Sequence, residues 1–258
     1  ENDGNQNFTK HLISTSTSTV WAVHAEDVDQ DGDMDVLSSS PDDDKIIWYE
    51  NDGGEIFTEH IVSTPDFPLG VYSEDVDGDG DVDVLSASVY DNKIAWYEND
   101  GDQNFSDHII TTSADDARSV YAEDIDGDGD MDVLSASFLD DKIAWYKNDG
   151  EEIFSERIIS TSADGANFVY ATDVDGDGDM DVLSTSNIDN KIAWYENKMT
   201  CEEGFDCAAV CGGDAVEDEC GVCDGDGIPA GECDCEGNVE DCEGDCGGSA
   251  VEDECGVC

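Results

Sequence analysis

An all-β fold is predicted by three observations: a unit of 48–49 residues repeated four times, several short β-type runs in each unit, and too few apolar residues in any one unit to bury a core alone. The acidic strings begin at Asp27, Asp75, Asp124 and Asp173, at intervals of 48, 49 and 49 residues. Trp48, Trp96, Trp145 and Trp194 repeat the same intervals. Four short strands in a unit of this size describe a β-propeller blade, which solves its burial problem by stacking on its neighbours. The expected architecture is a β-propeller of four-stranded blades over residues 1–197, followed by an irregular, disulfide-rich tail over 198–258.

The third unit shows the elements in order. Residues 119–123 are a β-type run, 124–132 the acidic loop, 133–137 a second strand and 142–146 a third, rich in β-formers. Asn148, Asp149 and Gly150 signal a turn, and 154–159 make a fourth strand. Neighbouring residues on a strand face opposite ways, so Trp145 and Tyr146 are expected to pack against the two adjacent blades. The position held by Met34, Met131 and Met180 is Val82 in the second copy, which marks apolar packing, not a thioether ligand. His11, His60 and His108 share a place with Arg157, which suits a cation compensating nearby carboxylates. His24 aligns with Tyr72, Tyr121 and Tyr170 as a packing residue. Residues 8–14 look like a fourth strand that could complete the last blade and close a four-bladed ring. The alternative is that upstream blades are missing, since the chain reads as a fragment cut inside repeats at both ends.

Charge narrows the partners. The chain has 68 Asp and Glu against 9 Lys and Arg, a formal charge of −59. Nucleic acid and anionic membranes are poor partners for such a chain, because phosphate binding needs Lys and Arg. No stretch is long and apolar enough to suggest membrane insertion. Multivalent cations fit this composition.

The acidic loop is expected to bind Ca²⁺. That ion takes six to eight oxygen ligands, and a D-x-D-x-D-x-D-x-D loop supplies them within one tight turn. The candidate ligands are Asp27, Asp29, Asp31, Asp33 and Asp35 in the first copy, and Asp75, Asp77, Asp79, Asp81 and Asp83 in the second. They are Asp124, Asp126, Asp128, Asp130 and Asp132 in the third, and Asp173, Asp175, Asp177, Asp179 and Asp181 in the fourth. In the third copy, Asp124, Asp126 and Asp128 would present side-chain oxygens, Asp130 its carbonyl, and Asp132 would close the sphere, through both oxygens if geometry allows. One ion per loop gives four. Gln30 replaces a loop glycine at a non-ligand position, so the first site is retained. An EF-hand is excluded: its twelfth position needs a bidentate Glu, and here stand Ser38, Ser86, Ser135 and Ser184. Mg²⁺ fits less well because it keeps its waters and demands a rigid octahedron.

The string "VYAEDIDGDGDMDVLSAS…KIAWYKNDG" resembles the FG-GAP or VCBS-type repeat. Such repeats build the calcium-binding propeller of integrin α subunits and of many secreted bacterial proteins. The resemblance spans about residues 5–197 and implies a loop between the first two strands of each blade that binds calcium. It also implies closure with seven or so blades. "SAS", "SSS" and "STS" stand where the family has "GAP", and Ser-Val or Phe-Val stands near "FG", which weakens any inference of integrin-like ligand binding.

All 11 Cys lie in the tail, where Cys207, Cys211, Cys220 and Cys223 recur 35 residues later as Cys242, Cys246, Cys255 and Cys258. Two Cys-x-x-Cys pairs without histidine fit a disulfide-stapled stalk better than zinc. Asp224 and Asp226 could form part of a further Ca²⁺ site. The tail resembles acidic Cys-Gly-Asp repeats of secreted bacterial surface proteins and, faintly, thrombospondin type 3 repeats. The expected function is a calcium-binding adhesion or binding module, extracellular, secreted or attached to the cell surface, with a glycan or protein ligand. The alternatives are the propeller of a secreted polysaccharide-acting enzyme and a purely structural, calcium-stiffened array. A non-enzymatic role is favoured, because the clustered carboxylates are already assigned to metal and no nucleophile–base pair breaks the repeat.

Overall fold

In the computed structural model, residues 9–54 and 56–198 are described. The cysteine tail, with its expected disulfides and its candidate Ca²⁺ or Zn²⁺ sites, lies outside them. Among the described residues, fifteen strands form four antiparallel sheets in simple meander order. The first sheet holds β1 (Ala22–Glu26), β2 (Asp35–Ser40), β3 (Lys45–Asn51) and β4 (Phe57–Ser63). The second holds β5 (Pro68–Glu74), β6 (Asp83–Ser88), β7 (Lys93–Asn99) and β8 (Phe105–Thr111). The third holds β9 (Ala117–Glu123), β10 (Asp132–Ser137), β11 (Lys142–Lys147) and β12 (Ser155–Ser160). The fourth has three strands, β13 (Ala166–Thr172), β14 (Asp181–Ser186) and β15 (Lys191–Tyr195). Each sheet is one blade, and the repeat boundaries read from the sequence match its strands closely.

The expected strand over 8–14 is corrected by the structure. Residues 9–14 form no strand, and the fourth blade gains none from them. Their segment lies against the first blade instead, because its hydroxyls find carboxylates there. Ser18 donates through N and Oγ to Asp43 at 2.8 and 2.7 Å, Thr19 bonds Asp42, and Ser16 bonds Glu59. His11, Ile13 and Val20 flank a cavity of about 220 Å³ over Val36 and Tyr49.

Alternation along the strands gives every blade two apolar faces. Leu85, Ala87, Ile94 and Trp96 on one face of blade 2 share a core with Val120, Ala122, Val133, Ala144 and Tyr146 of blade 3. The same pairing joins Leu37, Ile46 and Trp48 to Val71, Val84, Ala95 and Tyr97. It recurs between Leu134, Ala136, Ile143 and Val169, Ala171, Val182. So the tryptophan face of one blade receives the tyrosine face of the next, as expected. Each such large side chain contributes about 1.5–3 kcal/mol when fully buried. The contrast with the fourth blade measures this cover: Trp96 is 1% exposed and Trp194 46%. The serines that replace "GAP" bond inward: Ser86 Oγ lies 2.7 Å from Tyr97 Oη, and Ser88 Oγ donates to Asp91 at 2.5 Å.

The first strands of the blades lie side by side. His24, Tyr72, Tyr121 and Tyr170 form a ladder with ring centroids 4.5, 4.6 and 4.8 Å apart, which supports their reading as packing residues. Gly70 permits this approach, since a Cβ there would sit 3.2 Å from Arg118 O and Val120 N.

Candidate metal centre

Each acidic loop joins the first and second strands of a blade, so a rigid antiparallel pair holds both of its ends. The first aspartate folds the loop over itself by accepting backbone N–H groups. Asp75 accepts from Gly78 and Gly80 at 2.9 and 3.0 Å, and Asp124 from Gly127 and Gly129 at 2.8 and 2.9 Å. Those glycines have positive φ, from 71° at Gly127 to 98° at Gly80, a region costly for residues with a Cβ. In the first loop Gln30 adopts φ 59° nonetheless, and its side-chain amide reaches the second loop at Gly80 O. In the first, second and fourth loops the third-position aspartate accepts from the fifth, as in Asp77–Asp79 at 3.1 Å, and in all four the fifth accepts from the seventh, as in Asp79–Asp81 at 2.8 Å.

The ninth aspartate is the anchor. Asp35, Asp83, Asp132 and Asp181 are fully buried. Asp35 Oδ2 accepts from Val28 N at 3.1 Å and from Trp48 Nε1 at 2.9 Å, while Oδ1 accepts from Asn51 N at 2.7 Å. Both oxygens of Asp132 likewise accept backbone N–H, from Ile125 at 3.2 Å and Asn148 at 2.7 Å, so each retains one lone pair for a metal.

The structure brings the first, third and ninth aspartates together. Asp27, Asp29 and Asp35 each offer an oxygen within 4.8 Å of the others, as do Asp75, Asp77 and Asp83, Asp124, Asp126 and Asp132, and Asp173, Asp175 and Asp181. These four groups could hold metal ions. It does not bring in the side chains of the fifth position (Asp31, Asp79, Asp128, Asp177) or the seventh (Asp33, Asp81, Asp130, Asp179). The seventh side chain turns toward the glycine after β3, β7 or β11: a Cβ on Gly101 would lie 2.6 Å from Asp81 Oδ2. Its backbone carbonyl is the atom left to offer.

The donor set fits a hard dication. It is all oxygen, and Asp27 Oδ1 and Asp126 Oδ1 are buried without a hydrogen-bond partner. Burial, with the charges of Asp77 and Asp75, pushes Asp83 up to about 7 against the lowering hydrogen bonds from Asn99 and Val76. Burial likewise raises Asp132 to about 7, with Asp126 adding to it, and raises Asp29, Asp77, Asp126 and Asp175. In each, burial is the leading cause and neighbouring carboxylates add to it.

Two parts of the site were not read from the sequence. The strand pattern places Trp48 in the packing face alone, yet its indole nitrogen bonds Asp35. The asparagine at or just past the end of each third strand has the pattern of a turn former, yet in the second, third and fourth blades it ties loops together. Asn99 Nδ2 donates to Val82 O of its own loop at 3.2 Å and to Val28 O of the preceding loop at 3.4 Å. Asn148 and Asn197 repeat this with Met131 and Val76, and with Met180 and Ile125. The available signal was that Asn recurs at 51, 99, 148 and 197, even at 197 where no Asp-Gly follows. The loop residue before the ninth aspartate thus also serves through its carbonyl, and its side chain need not be buried: Met34 is 53% exposed, against expectation, whereas Val82 and Met180 pack on the core. His60 and His108 do meet carboxylates, Glu50 and Glu98, each at 2.7 Å, and stack on Trp48 and Trp96.

The FG-GAP-like repeat family matches residues 27–86, 75–135 and 124–184. These matches run through more than half of the chain, and the protein belongs to that family. No curated protein sequence matches it. Among solved structures it is similar to an auxiliary nutrient binding protein from Bacteroides thetaiotaomicron, with 9% identity, a TM-score of 0.49, and coverage of 70% of this chain and 46% of that one. It is similar to a streptogramin B lyase at 14% identity and TM-score 0.39, covering 74% and 73% of the two chains. It is also similar to the V. cholerae biofilm matrix protein Bap1 at 17% identity and TM-score 0.38, covering 73% and 40%. The chain thus spans about half the length of the first of these.

Proposed function

We propose that this chain is a calcium-binding, non-enzymatic binding module of an extracellular or cell-surface protein, with a glycan or protein as ligand. The observation that carries the metal assignment is the fourfold trio of converging carboxylates with buried, unpartnered oxygens at Asp27 and Asp126. Ca²⁺ suits them better than Mg²⁺ because the loops offer many oxygens, carboxylate and carbonyl, whereas Mg²⁺ keeps its waters and demands a near-ideal octahedron. The chain's own residues would hold the ion through the first, third and ninth aspartates, and the ion would supply charge neutralisation and loop rigidity. Four dications would still leave most of the 59 excess negative charges, which then serve solubility or a saline setting.

For a ligand, support comes from the pocket of about 540 Å³ along the first strands. Trp21, Phe168 and Tyr170 give it exposed aromatic surface, and Arg118, held by Asp116 at 2.9 Å, adds a cation. The carboxylates that could serve acid–base chemistry are engaged in the loops, which favours binding over catalysis. Among the described residues no helix is long and apolar enough to cross a membrane. Calorimetric titration of chelator-treated protein tests the metal reading. Saturable Ca²⁺ binding of several equivalents is expected, and no heat at millimolar Ca²⁺ would overturn it.

A further inference from the structure

The four loops are not equivalent. The residue that follows the tyrosine of each third strand is Glu50, Glu98, Lys147 and Glu196. In the first two blades this glutamate turns to the fourth strand and pairs with His60 or His108. In the third blade both partners have changed sign or strength: the strand position is Arg157, which lies over Trp145 at 4.7 Å, and the residue facing it is a lysine. Like charges separate, and Lys147 turns into the acidic loop. Its Nζ bonds Asp126 Oδ2 and lies 2.8 Å from Asp128 Oδ2.

The ammonium rearranges the loop. In the first, second and fourth copies the third aspartate accepts the N–H of the fifth. In the third copy Asp128 N turns to Asp124 Oδ1 at 3.1 Å, and Asp126 Oδ1 is left buried and unpartnered. Asp126 is a member of the converging trio, so the lysine engages the carboxylate a metal would use.

We propose that Lys147 is a tethered counter-ion that makes the third loop the weakest of the four cation sites, filled after the other three. The proposal rests on the metal reading above. A cation entering this loop must break the lysine's charge-assisted hydrogen bonds, and the ammonium, fixed to β11 of the same blade, always competes at high local concentration. Hydrogen bonds to charged groups have a size that corresponds to about a ten- to hundredfold loss in affinity. The first loop shows the opposite arrangement, since Glu50 adds negative charge beside Asp29.

The test is Ca²⁺ calorimetry on the whole chain, in wild type, Lys147→Glu and Lys147→Met, each with and without Asp124→Asn, a control that disables the third site. Circular dichroism verifies that each variant is folded. Wild type is expected to show one phase about ten- to hundredfold weaker than the rest, and both lysine variants to lose it by gaining affinity. Asp124→Asn should abolish the difference between wild type and variants. Unchanged isotherms in both lysine variants, or a change that survives Asp124→Asn, would overturn the role of Lys147 while leaving the metal reading intact. Absence of Ca²⁺ binding in every protein would overturn both.

Discussion

Trp48 Nε1 donates a 2.9 Å hydrogen bond to Asp35 Oδ2, which joins the packing face of a blade to the last aspartate of its acidic loop. Both residues are buried, Trp48 at 3% and Asp35 at 0% exposure. Blade stacking therefore fixes the orientation of a carboxylate in the candidate metal group.

Trp48→Phe keeps most of the packing and removes the donor. It should lower stability by about 1.5–3 kcal/mol, the size of a hydrogen bond to a charged group. Urea denaturation checks this. A Ca²⁺ affinity measured on the same variant should also fall, because Asp35 Oδ2 loses one of the two donors that orient it.

Asn99 and Asn51 occupy the same place in successive blades with different reach. Asn99 is buried and bonds two loops, whereas Asn51 Nδ2 donates to Met34 O of its own loop at 3.2 Å. Asn99→Ala should cost about 1 kcal/mol more than Asn51→Ala in chemical denaturation. Equal losses would show that the bond between blades contributes nothing.

Two glycines separate backbone strain from crowding. Gly80 has φ +98° with open space around it, and Gly101 has φ +77° with the Asp81 carboxylate close by. Alanine at Gly80 should cost roughly 1–2 kcal/mol, the left-handed backbone penalty alone. Alanine at Gly101 should cost more and shift the amide resonance of Asp81. A smaller loss at Gly101 than at Gly80 would contradict the packing of the seventh aspartate against that turn.

Much of this arrangement is legible in the chain. The third unit's strands fall within two residues of their expected ends, because alternation and β-branched runs mark strands well. Repetition at fixed offsets marks the four acidic loops, but it also points to side-chain oxygens at the fifth position, which the converging trios leave out. What repetition does not reveal is partnership. Residues 8–14 have the pattern of a fourth strand, but pattern does not say which edge receives them, and hydroxyl contacts to Asp42, Asp43 and Glu59 take their segment to the first blade. Met34 shares a pattern position with Met180, yet burial there depends on a neighbouring sheet. The change from Glu50 and Glu98 to Lys147 is visible in the sequence, and only the folded loop shows where the ammonium goes.

The most direct test is thermal unfolding of metal-stripped protein with and without millimolar Ca²⁺. A ligand present at 100 times its dissociation constant stabilises the native state by about 2.7 kcal/mol per site, so the melting temperature should rise by several degrees and return on adding chelator. Mg²⁺ at the same concentration should raise it less. A melting curve unmoved by Ca²⁺ and by chelator would contradict the assignment of the acidic loops as calcium sites.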